Sequence, residues 1–158
     1  AYQAAQYLYH LGHREIMFLG GRHGSRTLEQ RIGGYRRSLL ANGLTPHELE
    51  EPEQAGSLFR RGVIPDAIIA YSDVVAMQLL DAAEIYGVRV PEDVSVIGFD
   101  GITMSRYCVP VMTTIVQPSE QIALQSIELL VRQIEHGSPA QTVTLQPELQ
   151  QGESVRAI

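Results

Sequence analysis

The sequence contains no lysine and no tryptophan, and its single cysteine is Cys108. The 12 residues counted as lysine or arginine are therefore all arginine, which excludes a phosphate-loop lysine, Schiff-base chemistry and a lysine general base. One cysteine forms neither a disulfide framework nor a thiolate metal cluster, and we expect Cys108 to act as a small, buried or interfacial hydrophobic residue. Without tryptophan, this segment also lacks the largest aromatic surface for stacking against a sugar ring.

Positive charge is scarce, because the formal net charge is -6. Binding to phosphates needs clustered cations, so we do not expect this segment to bind nucleic acid by itself. No hydrophobic run is long enough to cross a bilayer, and we expect no membrane partner. The chain begins at Ala1 rather than methionine, so we interpret it as part of a longer protein, and its start says nothing about a leader.

The sequence also has no recognisable metal-binding or catalytic motif. The 5 histidines are scattered, without HExxH or Cys/His spacing, and we expect no metal and no cofactor. The segment GGRHGS (20–25) superficially resembles a phosphate loop, but it matches neither the dinucleotide fingerprint nor the Walker pattern. No GxSxG nucleophile elbow is present, although the sequence alone does not exclude a Ser-His-Asp triad. We predict that the protein is not an enzyme.

What the sequence does contain is a regular alternation of strand and helix patterns. Short apolar runs predict strands at 16–19, 66–71, 94–99 and 113–116, with further candidates at 142–145 and 154–158. Apolar positions that recur at helical spacing predict helices between them, with the faces Ala4/Leu8/Leu11, Leu28/Ile32/Tyr35/Leu39, Ala76/Leu79/Leu80/Ala83 and Ala123/Ile127/Leu130/Ile134. This order predicts an α/β fold with a parallel sheet flanked by helices on both faces. Residues 45–64 are the least regular stretch.

Capping residues, proline and glycine mark several helix ends, and a glycine pair lies inside one helix. Ser72 or Asp73 is expected to cap the helix that follows them. Pro118 is expected at the first position of the last long helix, and Gly137 is expected to end it. Gly33-Gly34 lies inside the second helix, where each glycine costs roughly 1 kcal/mol relative to alanine. We therefore expect this pair to pack closely against another backbone.

Polar residues follow the predicted strands at one edge of the sheet. In open α/β sheets, ligands bind beyond the carboxyl ends of the strands. Three segments are expected there: the loop 20–27, Ser72-Asp73 and Asp100-Gly101. We expect these segments to converge on one site.

Asp100 ends the most hydrophobic strand, and three roles remain open for it: an Asx turn or cap, a ligand-binding carboxylate, or a catalytic acid. Ser72 and Asp73 are either caps or ligand contacts, and both roles can coexist. A receiver-type phosphoacceptor is excluded, because it needs a lysine and an acidic pair on the first strand. Arg31 is either an exposed cation or a donor that binds a ligand beside the Asp100 carboxylate.

Five stretches together resemble the effector-binding core of the lactose/galactose-repressor (LacI/GalR) family of bacterial transcription regulators. In chain order they are AAQYLYHLGHREIMFLGG, RIGGYRRSLLANGL, PDAIIAYSDVVAM, GVRVPEDVSVIGFDG and PVMTTIVQP. The resemblance implies a type I periplasmic-binding-protein-like fold with two subdomains and a sugar-sized effector between them. It implies that 1–117 is the Rossmann-like C-terminal effector-binding subdomain, 118–145 a helix and strand of the N-terminal subdomain, and 146–158 the return strand. The DNA-binding domain would lie outside this chain.

The same resemblance implies site residues and partners. Arg31, Ser72 or Asp73, and Asp100 would contact the effector, although Ser72 stands where the family often has asparagine. The full-length protein would be a cytoplasmic homodimer that binds a small-molecule effector, expected to be a carbohydrate, and that binds operator DNA through a helix-turn-helix. The segments 72–87 and 104–110 would lie at or near the dimer interface.

One further departure and two consequences accompany the resemblance. The segment 45–64 is shorter than the corresponding segment of the family, and Phe59 is the candidate for the aromatic ligand platform of that region. The helix 120–136 would belong to the other subdomain, so we expect its apolar face to repack, to swap between chains or to be poorly ordered. Because half of the cleft would lie elsewhere, we expect weak effector binding by this segment alone. A stand-alone periplasmic-type sugar-binding protein and an α/β enzyme remain the alternatives.

Overall fold

The computed structural model describes residues 1–20 and 25–158. The elements run in the order α1 (Tyr2–His10), β1 (Ile16–Leu19), α2 (Arg26–Ala41), β2 (His47–Leu49), α3 (Pro52–Arg60), β3 (Ala67–Ala70), α4 (Asp73–Ile85), β4 (Ser95–Asp100), a 3-10 turn (Thr103–Arg106), β5 (Thr113–Val116), α5 (Ser119–His136) and β6 (Glu148–Gln150).

The strands form one sheet in the order β2-β1-β3-β4-β5-β6. The pairings from β2 through β5 are parallel, whereas β6 is antiparallel to β5. Parallel neighbours need crossover connections. Helices α2, α3 and α4 connect β1 to β2, β2 to β3 and β3 to β4, whereas the 3-10 turn and its flanking loop connect β4 to β5. The predicted α/β fold is confirmed, with one antiparallel edge strand that the sequence did not indicate.

Each face of the sheet has its own hydrophobic core, because alternate strand residues point to opposite sides. On one face, Ile16 and Phe18 pack with α1 and α2 residues such as Leu8 and Leu39. On the other face, Met17 and Leu19 pack with residues of α3 and α4. Burial on both faces explains why the central strands are continuously apolar.

The stretch 45–64 contains two elements that its sequence did not predict. The edge strand β2 pairs with β1, and α3 follows with Pro52 in its first turn and a capping box formed by Glu51 and Gln54. Phe59 is buried in the core beneath α3, at 4% exposure. The guess that Phe59 forms a ligand platform is therefore wrong, because its ring is covered by the protein.

The two strand candidates in the tail are wrong. Residues 142–145 lie along the surface without strand pairing, and the chain instead returns to the sheet as β6. Residues 154–158 are held by individual hydrogen bonds rather than by a ladder. The Ser154 hydroxyl donates to the Val96 carbonyl (2.6 Å) and accepts from the Thr113 amide (2.8 Å).

The predicted boundary residues are found at or next to their expected places. The Ser72 side chain caps α4 by accepting from the Val75 amide at 3.3 Å. Gly137 ends α5 in the left-handed conformation with φ 61, whereas Pro118 is the N-cap residue rather than the first helical residue.

Of the glycine pair Gly33-Gly34 inside α2, only Gly34 packs closely against another backbone. A Cβ at Gly34 would lie 3.2 Å from the Tyr2 amide nitrogen.

Helix α5 projects from the sheet with no buried residue. Its apolar side chains Ile127, Leu130 and Ile134 are 62%, 55% and 74% exposed. The expectation that this face repacks against the rest of the chain is wrong, whereas exchange between two chains and poor order of the helix stay predictions. None of the described helices is both long and apolar enough to span a bilayer.

Candidate ligand-binding site

The carboxyl ends of three neighbouring strands meet at one edge of the sheet. Tyr71 follows β3, Asp100 is the last residue of β4, and Gln117 follows β5. Arg31 reaches the same edge from the second turn of α2. The sequence predicted that Arg31 and Asp100 would come together, and Arg31 Nη2 lies 2.8 Å from Asp100 Oδ1.

Arg31 is held at the edge of the sheet by Tyr71, Phe99 and Asp100. Its guanidinium carbon lies 3.7 Å from the Phe99 ring centroid and 4.7 Å from the Tyr71 ring centroid, and Nη1 donates to the Tyr71 carbonyl. Only 10% of its side chain is exposed. Because aromatic rings lie against the planar group, Arg31 acts through the in-plane N–H donors at its edge.

Asp100 presents a carboxylate that is both anchored and accessible. Its Oδ1 accepts from Arg31 and from Gln117 Nε2, the latter at 2.6 Å, while 30% of the side chain stays exposed. Among the residues that the structure describes, no hydrogen-bond partner is found for Oδ2. An oriented carboxylate of this kind can accept hydrogen bonds from the hydroxyl groups of a ligand.

The backbone at Asp100 has an unusual conformation, with φ 108. A positive φ is uncommon for a residue other than glycine and marks a conformation that its surroundings maintain. Gly101 follows with φ 72, and a Cβ there would lie 2.7 Å from a Val116 methyl carbon. The turn after β4 is therefore fixed by its contact with β5.

Asp73 lies behind this turn rather than on its open side. The side chain is fully buried; Oδ1 accepts from the Thr114 hydroxyl at 2.5 Å and Oδ2 from the Ile102 amide at 2.8 Å. Burial raises the pKa of Asp73 above its ordinary value, although its hydrogen bonds oppose that rise. Ligand contact by Asp73 or Ser72 stays a prediction, and the geometry favours a supporting role for Asp73 and a capping role for Ser72.

Sequence reasoning missed Tyr71, Phe99 and Gln117. The first two were counted only as the ends of apolar strands, and Gln117 was part of the TTIVQP motif without being singled out. Their position next to predicted strand ends was the signal that could have identified them. In the predicted loop 20–27, residues 21–24 lie outside the described part of the chain, so the phosphate-loop comparison for 20–25 is untested there.

A second surface feature is an apolar groove between α4 and the segment 104–110. The groove has a volume of about 790 Å³, and its walls include Met77, Leu80, Met104, Tyr107, Cys108 and Val109. Val109 is 93% exposed. Cys108 lies half-buried there, and burial raises the pKa of its thiol. These are the two segments that the resemblance implies for a dimer interface.

Among residues 1–20 and 25–158, no group of three or more histidine, cysteine or acidic side chains is arranged to hold a metal ion. The absence of a metal in the protein stays a prediction.

The profile of the periplasmic binding protein-like domain matches residues 5–155. The chain belongs to this periplasmic binding protein-like domain family. A relative named HTH-type transcriptional repressor PurR, from Edwardsiella ictaluri (strain 93-146), is 34% identical over 166 aligned positions that cover 98% of this chain and 48% of the relative. The chain thus spans about half the length of that curated relative.

Two solved structures agree with this assignment. A Lac repressor dimer bound to operator and the anti-inducer ONPF matches with a TM-score of 0.91 at 25% identity, covering 99% of this chain and 57% of that one. A complex of the transcriptional regulator CelR with cellobiose matches with a TM-score of 0.84 at 30% identity, covering 97% and 50%. The resemblance to LacI/GalR-family regulators is confirmed, and these relatives are named as regulators rather than enzymes.

Proposed function

We propose that this chain is the effector-binding and dimerisation part of a LacI-type transcription regulator, and that its effector is a carbohydrate. The observation that carries the proposal is the Arg31–Asp100 pair at the carboxyl edge of the sheet, 2.8 Å apart with Asp100 still accessible. A guanidinium and a carboxylate side by side supply donors and acceptors for neighbouring hydroxyl groups. The cellobiose complex of the similar regulator supports the choice of a carbohydrate.

Arg31 and Asp100 are the effector contacts in this proposal, with Gln117 beside them. Gln117 Nε2 already binds Asp100 Oδ1 at 2.6 Å, so an incoming hydroxyl group would extend an existing polar network. Ser72 remains a weaker candidate, because its hydroxyl is engaged as the α4 cap.

The division of the chain that the resemblance implies is part of the same proposal. Residues 1–117 form the C-terminal subdomain, 118–145 extend into the N-terminal subdomain, and 146–158 return. Support comes from α5, which has no buried residue although it carries a continuous apolar face. A face of this kind is normally covered in a folded protein.

Homodimer formation is proposed through the groove between α4 and 104–110. Its exposed apolar side chains, including Met104, Tyr107 and Val109, have the composition of an interface core.

Operator DNA would be bound by a helix-turn-helix outside this chain, as the name of the relative suggests. We place the regulator in the cytoplasm, where operator DNA is found. Effector binding would change operator affinity by favouring one hinge state of the two subdomains.

The effector site can be tested by calorimetric titration of the full-length protein with mono- and disaccharides, cellobiose first. We expect one sugar to bind and Asp100→Ala to weaken its binding by about 10- to 100-fold, the scale of losing hydrogen bonds to a charged group. In a reporter assay, the same variant should lose its response to the sugar. Asp93→Asn, which removes a carboxylate from an exposed ion pair with Arg89, is the matched control. Unchanged affinity in Asp100→Ala would remove Asp100 from the site.

A stand-alone periplasmic-type sugar-binding protein shares this architecture. The naming of the similar proteins as repressors and regulators favours the first proposal. Specific binding of the full-length protein to an operator, lost or gained on addition of the sugar, distinguishes the two, because a transport protein would bind no operator.

A further inference from the structure

Asp73 joins three separate parts of the molecule beneath the site. It is the first residue of α4, its Oδ1 binds the hydroxyl of Thr114 in β5, and its Oδ2 binds the amide of Ile102 in the turn after β4. Both Asp73 and Thr114 are fully buried. A buried carboxylate whose two oxygens are both engaged is strongly fixed, because any displacement leaves unpaired polar groups.

The turn that Asp73 holds is the one that presents Asp100. Asp100 and Gly101 have successive positive φ angles of 108 and 72, and Ile102 comes next. A residue other than glycine keeps such a φ only where its surroundings over-determine the conformation. The bond from the Ile102 amide to Asp73 fixes the far end of this turn, while the bond from the Gln117 amide to the Asp100 carbonyl (3.3 Å) fixes the near end.

Strand β4 is adapted to the Asp73 carboxylate. A Cβ at Gly98 would lie 2.2 Å from Asp73 Oδ1, a separation that real Cβ atoms do not show. Glycine at this position lets the carboxylate lie directly against the strand whose end carries Asp100. The carboxylate therefore contacts β4, its following turn and β5 from one point.

We propose that Asp73 is a positioning residue for effector binding: its buried carboxylate holds the Gly101–Ile102 turn so that the Asp100 carboxylate is presented beside Arg31. This role rests on the proposed function, since it assigns a purpose to the Asp100–Arg31 pair. It differs from direct ligand contact, because Asp73 acts on Asp100 only through the backbone of the turn, while Thr114 holds the Asp73 carboxylate in place.

The position of Asp100 can be followed without any ligand. In the full-length protein labelled with ¹⁵N-arginine, the Arg31 side-chain Nε–H signal is assigned by its loss in Arg31→Gln. We expect Asp73→Ala to move this signal toward its position in Asp100→Ala, where the ion pair is absent. Thr114→Val should move it in the same direction, whereas Thr114→Ser, which keeps the hydroxyl group, should leave it in place. Asp93→Asn serves as the control for the loss of a partly exposed carboxylate outside the site.

A double-mutant cycle separates positioning from general destabilisation. With the sugar that binds best in the titration series that starts from cellobiose, we expect Asp73→Ala to weaken affinity at least about 10-fold. In the Asp100→Ala background the same substitution should cause no further loss, since there is no carboxylate left to position. A merely structural role would lower stability and give additive losses of affinity.

An unchanged Arg31 signal in both Asp73→Ala and Thr114→Val overturns the positioning role, and so do additive losses in the cycle. Should Asp73→Ala fail to fold, the comparison of Thr114→Val with Thr114→Ser decides by the same signal. Full affinity in Asp100→Ala, or no binding of any sugar, overturns the proposed function. Because the Arg31 signal needs no ligand, it still shows in that case whether Asp73 controls the position of Asp100.

Discussion

Tyr35 shows at the scale of one residue how a polar atom is accommodated in the core. Its ring packs against Phe18, and its hydroxyl oxygen lies 2.8 Å from the Ile16 carbonyl oxygen and accepts from the His47 amide at 2.9 Å. Tyr35 therefore links α2 to β1 and to β2 at the sheet edge. Burial raises the pKa of Tyr35 to about 12.

Tyr35→Phe should lower the free energy of unfolding by about 1–3 kcal/mol, because it removes the hydrogen bonds of the hydroxyl group to the Ile16 carbonyl and the His47 amide. Its effect should also depend on pH. Between the ordinary tyrosine pKa of about 10 and the folded value of about 12, the unfolded phenol loses its proton while the folded one keeps it. Stability contributed by Tyr35 is thus lost as pH rises through this window. Urea unfolding at pH 8 and pH 11 checks both effects.

Tyr86→Phe is the matched control, because Tyr86 is 43% exposed and should tolerate the loss of its hydroxyl group. Equal stability of Tyr35→Phe and the unmodified protein at pH 8 would contradict the proposed link between α2 and β2.

At the scale of elements, Gly98 in β4 and Gly33 in α2 should respond in opposite ways to replacement by alanine. A Cβ at Gly98 would meet the fixed Asp73 carboxylate at 2.2 Å, whereas a Cβ at Gly33 would meet no described atom within 4 Å. Gly98→Ala should therefore destabilise the protein by about 1–3 kcal/mol through overpacking. Gly33→Ala should stabilise it by up to about 1 kcal/mol, because alanine favours the helix. Thermal unfolding of the two variants tests this contrast, which equal shifts of either sign would refute.

The elements that the sequence predicted are those with a strong periodic pattern. Strands β1, β3, β4 and β5 are buried on both faces, so their apolar runs identified them. In contrast, β2 (HEL) and β6 (ELQ) are polar edge strands of three residues whose existence depends on a neighbour rather than on their own pattern. Helix α3 carries Gly56 and begins in an acidic stretch, which weakened its helical signal.

The site was predictable to a similar extent. Asp100 and Arg31 were identifiable because a charged residue at the end of an apolar strand, or beside a helical glycine pair, is conspicuous. The supporting contacts were not, since Tyr71 and Phe99 have the composition of core residues and Gln117 that of a loop. That Asp73 turns inward follows from the Thr114 hydroxyl on a strand two elements away, which no local pattern reveals.

At the scale of the whole molecule, two uncovered apolar surfaces share no residue. One is the groove between α4 and 104–110, and the other is the face of α5. Within the proposed regulator, the first would pair two protomers and the second would complete the other subdomain. Because no residue belongs to both, each surface can be tested by a substitution of its own.

Val109→Glu should weaken dimer formation by about 30-fold or more, because it introduces a charge into the apolar groove that is proposed as the interface. Leu40→Glu is the control: Leu40 is also exposed, at 63%, but it lies on α2 away from the groove. Sedimentation equilibrium of the full-length protein measures both. A dimer of unchanged affinity in Val109→Glu would exclude the groove as the interface.

The antiparallel pairing of β5 with β6 has a mechanical consequence. The chain leaves the sheet after Val116 and comes back at Glu148, and these two residues are register partners on adjacent strands. The segment 117–147, which contains α5, is consequently attached to the sheet at two adjacent points rather than at one. Because of this double attachment, the segment cannot rotate about a single backbone bond. Its least restricted motion is rotation about the line that joins Val116 and Glu148.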